Sequence, residues 1–345
     1  MKTIVFTAEN ELEIQNYKMN DLPNHLIMIK IEACAICTWE QRAYTGVKKV
    51  DYPYIGGHEI AAEIVKVGSD VSSEWQIGDK VIYGTQLACG DCHFCKIGEE
   101  QSCTNFVHTK QMRGLPHPGM GGLSQYMIVE PRRLFRYKNV SPLQASLTEP
   151  LSCVIHSINS ADIQLGDFVL VVGCGIMGMF HVLLAQKKGA TVIASDMNEE
   201  RLALAKELGA TYVINPQKED QVKKVMELTD DLGADVIFDT TPIAKVVKGL
   251  IPCLSNLGKL VLYSSFYPDT PVGLSMDSLH KKAQKIIGTA NSNSKDYTIA
   301  SRLISNGVID VEPFINEVYP FDQAKAAFES AIKADKYRVV IDFTK

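Results

Sequence analysis

The stretch Asp167–Asp196, DFVLVVGCGIMGMFHVLLAQKKGATVIASD, decides the fold. Phe168 to Val172 is an apolar run of the kind that forms a parallel strand buried on both faces. Gly173, Gly175 and Gly178 follow as G-x-G-x-x-G, then comes a helical segment reaching about Lys188, and TVIAS reads as a second strand that ends at Asp196. The first glycine allows the tight turn, the second lets a pyrophosphate approach the backbone, and the third lets helix and strand pack closely. Ile176 and Met177 open the helix, whose N-terminus faces the phosphates. Asp196 can accept hydrogen bonds from both ribose hydroxyls, and its charge repels a 2′-phosphate, so NAD is favoured over NADP. A cap on the following helix is the plainer role for Asp196. Arg201, just beyond it, completes the candidate cofactor residues. Cys174 lies between two glycines, where a small residue fits, and is given no redox role.

Further alternation extends the sheet. RLALAKELGA reads as a helix with a glycine stop, TYVIN as a strand, VKKVMEL as a helix, ADVIFDTT as a strand, and KLVLYSSF and KIIGTA as strands. The expected dinucleotide-binding domain covers 153–290. Phe168 to Gln186 carries no charge and is long enough to mislead a hydropathy scan for membrane spans. Glycines break it, and a buried strand followed by a buried helix is the better reading.

Composition bounds the rest. At 345 residues the chain is expected to fold as two domains. Its 46% hydrophobic and 22% charged content is that of a soluble globular protein. A formal net charge of −5 argues against nucleic acid or a membrane surface as partner, because both attract basic patches. A small molecule is the expected partner. The N-terminus turns acidic before any long apolar core develops, so the expected location is the cytoplasm. Nine cysteines there point to metal ligation before disulfides.

Four of them, Cys89, Cys92, Cys95 and Cys103, are spaced C-x2-C-x2-C-x7-C, short enough for one loop to wrap one ion. Gly90, Asp91 and Gly98 between them are turn formers. Tetrahedral zinc wants four such thiolates; iron–sulfur ligation is the chemical alternative, but ferredoxin runs have other spacings and usually end in Pro. A closed four-thiolate site offers no open position, so this zinc is expected to be structural and the chemistry to lie elsewhere.

Elsewhere means EACAICTWEQRAYTG and YIGGHEIAAEIVKVGSDV. With Cys37, Gly57-His58-Glu59, the four-cysteine lobe, LTEPLSCVIH and the glycine turn in this order, the whole chain resembles the zinc-dependent medium-chain dehydrogenases, the group of alcohol, sorbitol and threonine dehydrogenases. The resemblance implies a GroES-like, mostly-β catalytic domain over 1–152 with a zinc lobe at 87–105, a Rossmann domain, and a return to the catalytic domain over 291–345. It makes Cys37 and His58 catalytic zinc ligands, matches Glu149 to the carboxylate position of sorbitol-type members, and gives Glu59 a place on the zinc or beside it. One thiolate, one imidazole and one carboxylate leave a fourth position open, as a catalytic zinc requires. It further implies an active site between the domains, an oligomer (dimer or tetramer), and zinc-assisted hydride transfer from an alcohol to nicotinamide. Cys34 and His156 are taken as packing residues.

The chain departs from the pattern at three points. Trp39 stands where Ser or Thr usually carries the released proton, and an indole donates one hydrogen bond without relaying protons. Glu40 replaces the usual Asp, and Arg42 a histidine found in some members. Thr38, Glu40, Glu59 or water are the substitutes; Trp39 can instead line a pocket, its flat face against the C–H surface of a sugar or cyclitol. Ala62 stands where G-H-E-x-x-G places glycine. Together these favour a polyol, sugar alcohol, cyclitol or other secondary alcohol. A threonine-type amino-alcohol dehydrogenase and a non-catalytic zinc-stabilised NAD-binding scaffold are the rivals.

Overall fold

The computed structural model describes residues 1–85, 88–106, 111–266, 269–333 and 335–345. Leu87, the first residue expected in the cysteine lobe, lies outside them. The chain divides into two compact units, Met1–Ser152 with Ser292–Lys345, and Cys153–Asn291.

The second unit holds a six-stranded sheet in the spatial order Tyr212–Ile214, Thr191–Ser195, Phe168–Val172, Ala234–Asp239, Leu254–Leu262, Lys285–Gly288. Every pairing is parallel. Numbered along the chain this is 3-2-1-4-5-6, the doubly wound order, with its reversal between the Phe168 and Ala234 strands. Val169, Leu170 and Val171 are fully buried, as strands covered on both faces must be. The uncharged segment is a strand ending at Val172 and a helix over Ile176–Lys187. Among the described residues no helix is long and apolar enough to cross a membrane.

The first unit is built on a mixed sheet ordered Ile315–Pro320, Arg338–Asp342, Ile27–Ala35, Glu59–Val67, Lys80–Gly84, Leu134–Arg136, with Tyr126–Val129 also paired to Ile27–Ala35. The two units match the expected GroES-like domain and Rossmann domain. Ile27–Ala35 is the central strand, and only Lys30 along it is exposed. The core cluster includes Phe6, Tyr44, Tyr54 and Phe328, with Phe6 meeting Phe328 edge-on at 5.0 Å. Ala62 sits mid-strand, paired with Ile31 and Val81 and fully buried, so its methyl group packs in ordinary extended backbone.

Register fixes what meets at the end of this sheet. Ala35 pairs with Glu59 on one side and with Val340 on the other. Two residues further, antiparallel geometry carries Cys37 toward Arg338, and the Ile36 amide donates to the Val339 carbonyl at 2.9 Å. Three segments distant in sequence thus deliver Cys37, His58–Glu59 and Arg338 to one place.

Candidate functional site

Cys37 is the N-cap residue of the helix Thr38–Tyr44, in extended backbone just after the central strand. His58 immediately precedes the strand Glu59–Val67. The ligand atoms of Cys37, His58 and Glu59 all lie within 4.8 Å of one another, and His58 and Glu59 are buried. Sulfur, imidazole nitrogen and carboxylate oxygen at this spacing are a donor set that fits zinc.

Each donor is held from behind. The Glu40 carboxylate lies 2.7 Å from His58 Nδ1 and accepts the Gly57 amide at 3.0 Å. Taking Nδ1–H this way leaves Nε2 as the ligand nitrogen, the arrangement by which a carboxylate fixes a metal-binding histidine. Arg338 grips Glu59 with two bonds, Nη2 to Oε1 at 2.7 Å and Nε to Oε2 at 2.9 Å, and its Nη2 stands 3.9 Å from Cys37 Sγ. Burial works against a charged His58, yet Glu40 and Cys37 outweigh it and raise its pKa well above the usual imidazole range. Burial and the Glu59 charge push the Cys37 thiol up, which a bound cation would reverse. Arg338 keeps its charge despite burial because Glu59 and Cys37 surround it.

The other expected residues fall as follows. Glu149 opens the helix Thr148–Ala161 and is buried, and its charge acts on Arg338, but it does not join the group of Cys37, His58 and Glu59. Thr38 is exposed at the first position of its helix. Trp39 is half-buried, its ring 5.6 Å from Tyr54 and packed against the core cluster. Arg338 was not anticipated. The signal was a cation opening the apolar strand RVVID, which can be buried only if something pairs with it. Glu40, first considered as a proton carrier, is placed as the partner of His58.

Cys89, Cys92, Cys95 and Cys103 form a second group within the same 4.8 Å limit. Cys92 Sγ lies 3.5 Å from Cys95 Sγ and 3.9 Å from Cys103 Sγ. Amides of Asp91 and Cys92 donate to Cys89 Sγ at 3.4 and 3.2 Å, and with the Asn105 side chain they pull the Cys89 pKa down. Backbone N–H groups of Cys95 and Thr104 bring Cys92 to about 6. Burial pushes Cys95 up to about 12. The Cys89 and Cys92 sulfurs, bonded to backbone N–H groups, are prepared as thiolates, and a cation held by all four sulfurs would have no position left for a substrate.

In the second unit the three glycines have three different reasons. Gly173 has φ +89, a left-handed conformation that favours glycine. A Cβ on Gly178 would stand 1.8 Å from the Gly173 carbonyl oxygen, so helix and strand touch there. A Cβ on Gly175 would meet nothing within 4 Å. Gly175 is also the N-cap of the Ile176 helix and has no side chain to satisfy the first amides. Open space beside uncapped N–H groups is a cradle that fits a pyrophosphate. Asp196 accepts from the Cys174 amide at 2.6 Å and the Asn198 amide at 2.8 Å. The cap of the following helix is Asn198, which accepts the Arg201 amide at 3.1 Å, so Asp196 is not that cap.

Two family models match the chain: the alcohol dehydrogenase GroES-like domain over residues 23–139 and the zinc-binding dehydrogenase model over 177–306. An L-threonine 3-dehydrogenase of Pyrococcus furiosus is 33% identical over 88% of this chain and 87% of its own length. A D-arabitol-phosphate dehydrogenase of Enterococcus avium is 27% identical over 92% of this chain and 89% of its own. A Sinorhizobium meliloti 1021 protein described as a zinc-binding dehydrogenase, solved bound to NADP, superposes with a TM-score of 0.89 at 23% identity, covering 99% of this chain and 98% of that one. With both domains matched in order and a relative above 30% identity along most of its length, this chain belongs to the zinc-dependent medium-chain dehydrogenase family.

Proposed function

We propose that the protein is a zinc- and NAD-dependent oxidoreductase that takes hydride from a secondary alcohol of a polyol, sugar alcohol or cyclitol. The observation that carries this is the convergence of Cys37, His58 and Glu59, each braced by a buried partner, in a chain that also gathers a separate four-thiol site. A scaffold needs only the latter. We assign the open zinc to Cys37 and His58 with Glu59, the carboxylate grouped with them; the resemblance alone offers Glu149 as third ligand in its place, since Arg338 holds both oxygens of Glu59. The closed zinc goes to Cys89, Cys92, Cys95 and Cys103.

When bound, zinc supplies Lewis acidity that lowers the pKa of an alcohol hydroxyl, and NAD supplies the hydride acceptor. The chain's own residues do the rest. Glu40 keeps the proton on His58 Nδ1, so Nε2 is the nitrogen that would give its lone pair once a bound cation displaces the second proton. Arg338 balances the charge of Cys37 and Glu59 in a buried place. Thr38, exposed one residue before Trp39, is the hydroxyl best placed to pass the released proton to water, since the indole cannot. Trp39, half-buried, would present its flat indole to the C–H side of a substrate. Asp196, held by backbone amides on both oxygens, would set a carboxylate where the 2′-phosphate of NADP would sit.

The threonine-type reading is the second candidate, favoured by the identity to the Pyrococcus furiosus enzyme. One experiment separates the two: NADH and NADPH formation against a panel of polyols, polyol phosphates, cyclitols and amino alcohols, with metal content measured on the same sample. Turnover of a polyol with NAD and about two zinc ions per chain supports the proposal. Turnover confined to threonine, or about one zinc and no turnover, replaces it with the amino-alcohol or scaffold reading.

A further inference from the structure

A cavity of about 630 Å³ opens in the first unit, away from the residues assigned to either metal. Its floor and walls are Leu134, Phe135 and Tyr137 at the end of one strand, Trp75, and the helix Ser294–Ser305. Arg136, Lys138 and Arg302 also line it, and among the described residues no carboxylate does. In a chain of net charge −5, three cations lining one opening, two of them without an acidic partner among the described residues, is a selective arrangement. Arg136 is partly spoken for, since it bonds Asp79 at 3.0 Å and lies 4.3 Å over the Trp75 ring. Lys138 and Arg302 are exposed and have no ionic partner among the described residues.

The walls are held rather than loose. Ser301 Oγ donates to the Arg136 carbonyl at 2.6 Å, and the Lys138 amide donates to Ser305 Oγ at 3.1 Å, so helix and strand are tied at two levels. Phe135 stacks on Tyr297 at 5.0 Å and 10°. Preformed hollows of this size, apolar inside with a few convergent polar groups, are where small molecules bind. Leu134 and Tyr137 are buried, giving an apolar floor under a cationic rim.

We propose that this cavity binds a small organic anion, a single carboxylate or phosphate head on a flat apolar body, with the head between Lys138 and Arg302 and the body against Trp75 and Phe135. The inference is independent of the substrate reading above. It is tested by calorimetric titration of the wild-type chain with benzoate, phenyl phosphate and, as the neutral comparison, benzamide. Tryptophan emission is followed in a Trp39→Phe background, which leaves Trp75 as the one indole, since the chain has two tryptophans. Saturable binding of an anionic probe with a dissociation constant below about 1 mM, a change in Trp75 emission, and at least about a tenfold loss in Lys138→Gln/Arg302→Gln are the expected results. Benzoate alone, or phenyl phosphate alone, identifies which head the rim prefers. The proposal is overturned by no binding up to about 10 mM, by equal binding of benzamide, or by affinity unchanged in the double variant. It is also overturned if that variant alters the molecular mass in solution, which would make the cavity an interface between copies.

Discussion

Arg338 and Glu59 form a two-bond ion pair with side-chain exposures of 4% and 0%, linking residues 279 apart in sequence. Neither charge can reach water, so each depends on the other. Removing one partner of such a pair strands the other charge and costs about 3–5 kcal/mol, whereas replacing both with apolar groups is often nearly neutral. Urea unfolding of the metal-free protein should show Arg338→Leu and Glu59→Leu each strongly destabilised and the double variant substantially restored. A double variant as unstable as the sum of the singles would mean the two residues do not act as a pair.

The Glu40–His58 contact makes a separate prediction about metal affinity. Glu40 touches no expected metal position itself; it holds Nδ1 and the Gly57 amide. Losing such an outer partner weakens a metal site by about 10–100-fold. Glu40→Ala should lower zinc affinity by that amount in competition with a chromophoric chelator, and Glu40→Gln, which still accepts hydrogen bonds, by less. The four-cysteine site is the internal control. Equal loss at both sites would indicate general unfolding.

Gly175 and Gly178 belong to one motif but should fail in opposite ways. The Gly178→Ala methyl would press on the Gly173 carbonyl oxygen, so helix and strand must part, and thermal stability should fall. The Gly175→Ala methyl meets no protein atom, so melting should be unchanged while cofactor affinity drops, because the methyl enters the space proposed for the pyrophosphate. Melting curves with and without NAD distinguish them. An unchanged NAD-induced stabilisation in Gly175→Ala would remove the pyrophosphate from that space.

Why some of this was legible follows from sequence distance. The parallel sheet was readable because an apolar run, a glycine turn and a helix are consecutive, and their periodicities are local. The four-cysteine group was readable because its ligands span fifteen residues, Cys89 to Cys103. The brace around Cys37 was not, because it is made by strand register: Arg338 arrives only through the pairing of Val340 with Ala35. Glu40 was visible, but its contact was not: Trp39 drew attention to proton transfer, whereas the helix turns Glu40 inward onto His58. Glu149 rested on resemblance, and its side chain stays outside the group its assignment would join.

His181 gives a pH prediction in the second unit. It is fully buried, with Nδ1 2.8 Å from the Met177 carbonyl and Nε2 2.9 Å from Ser157 Oγ. A carbonyl only accepts, so Nδ1 carries the proton and Nε2 accepts from the serine, a neutral ring with both nitrogens satisfied. Burial lowers its pKa from 6.5 to about 4, with the Met177 bond opposing slightly. Between those values the unfolded chain binds a proton that the folded chain refuses, so stability falls as pH drops and is fully present only above the unfolded pKa. The contribution at stake is about 2–3 kcal/mol from pH 7 to pH 4.5. His181→Gln should be clearly less stable than wild type at pH 7, and that difference should shrink by this amount at pH 4.5, because the variant has no imidazole to protonate. Taking the difference cancels the carboxylates common to both proteins. Equilibrium unfolding at four pH values measures it, and a gap that stays constant would show that His181 takes up its proton equally well folded and unfolded.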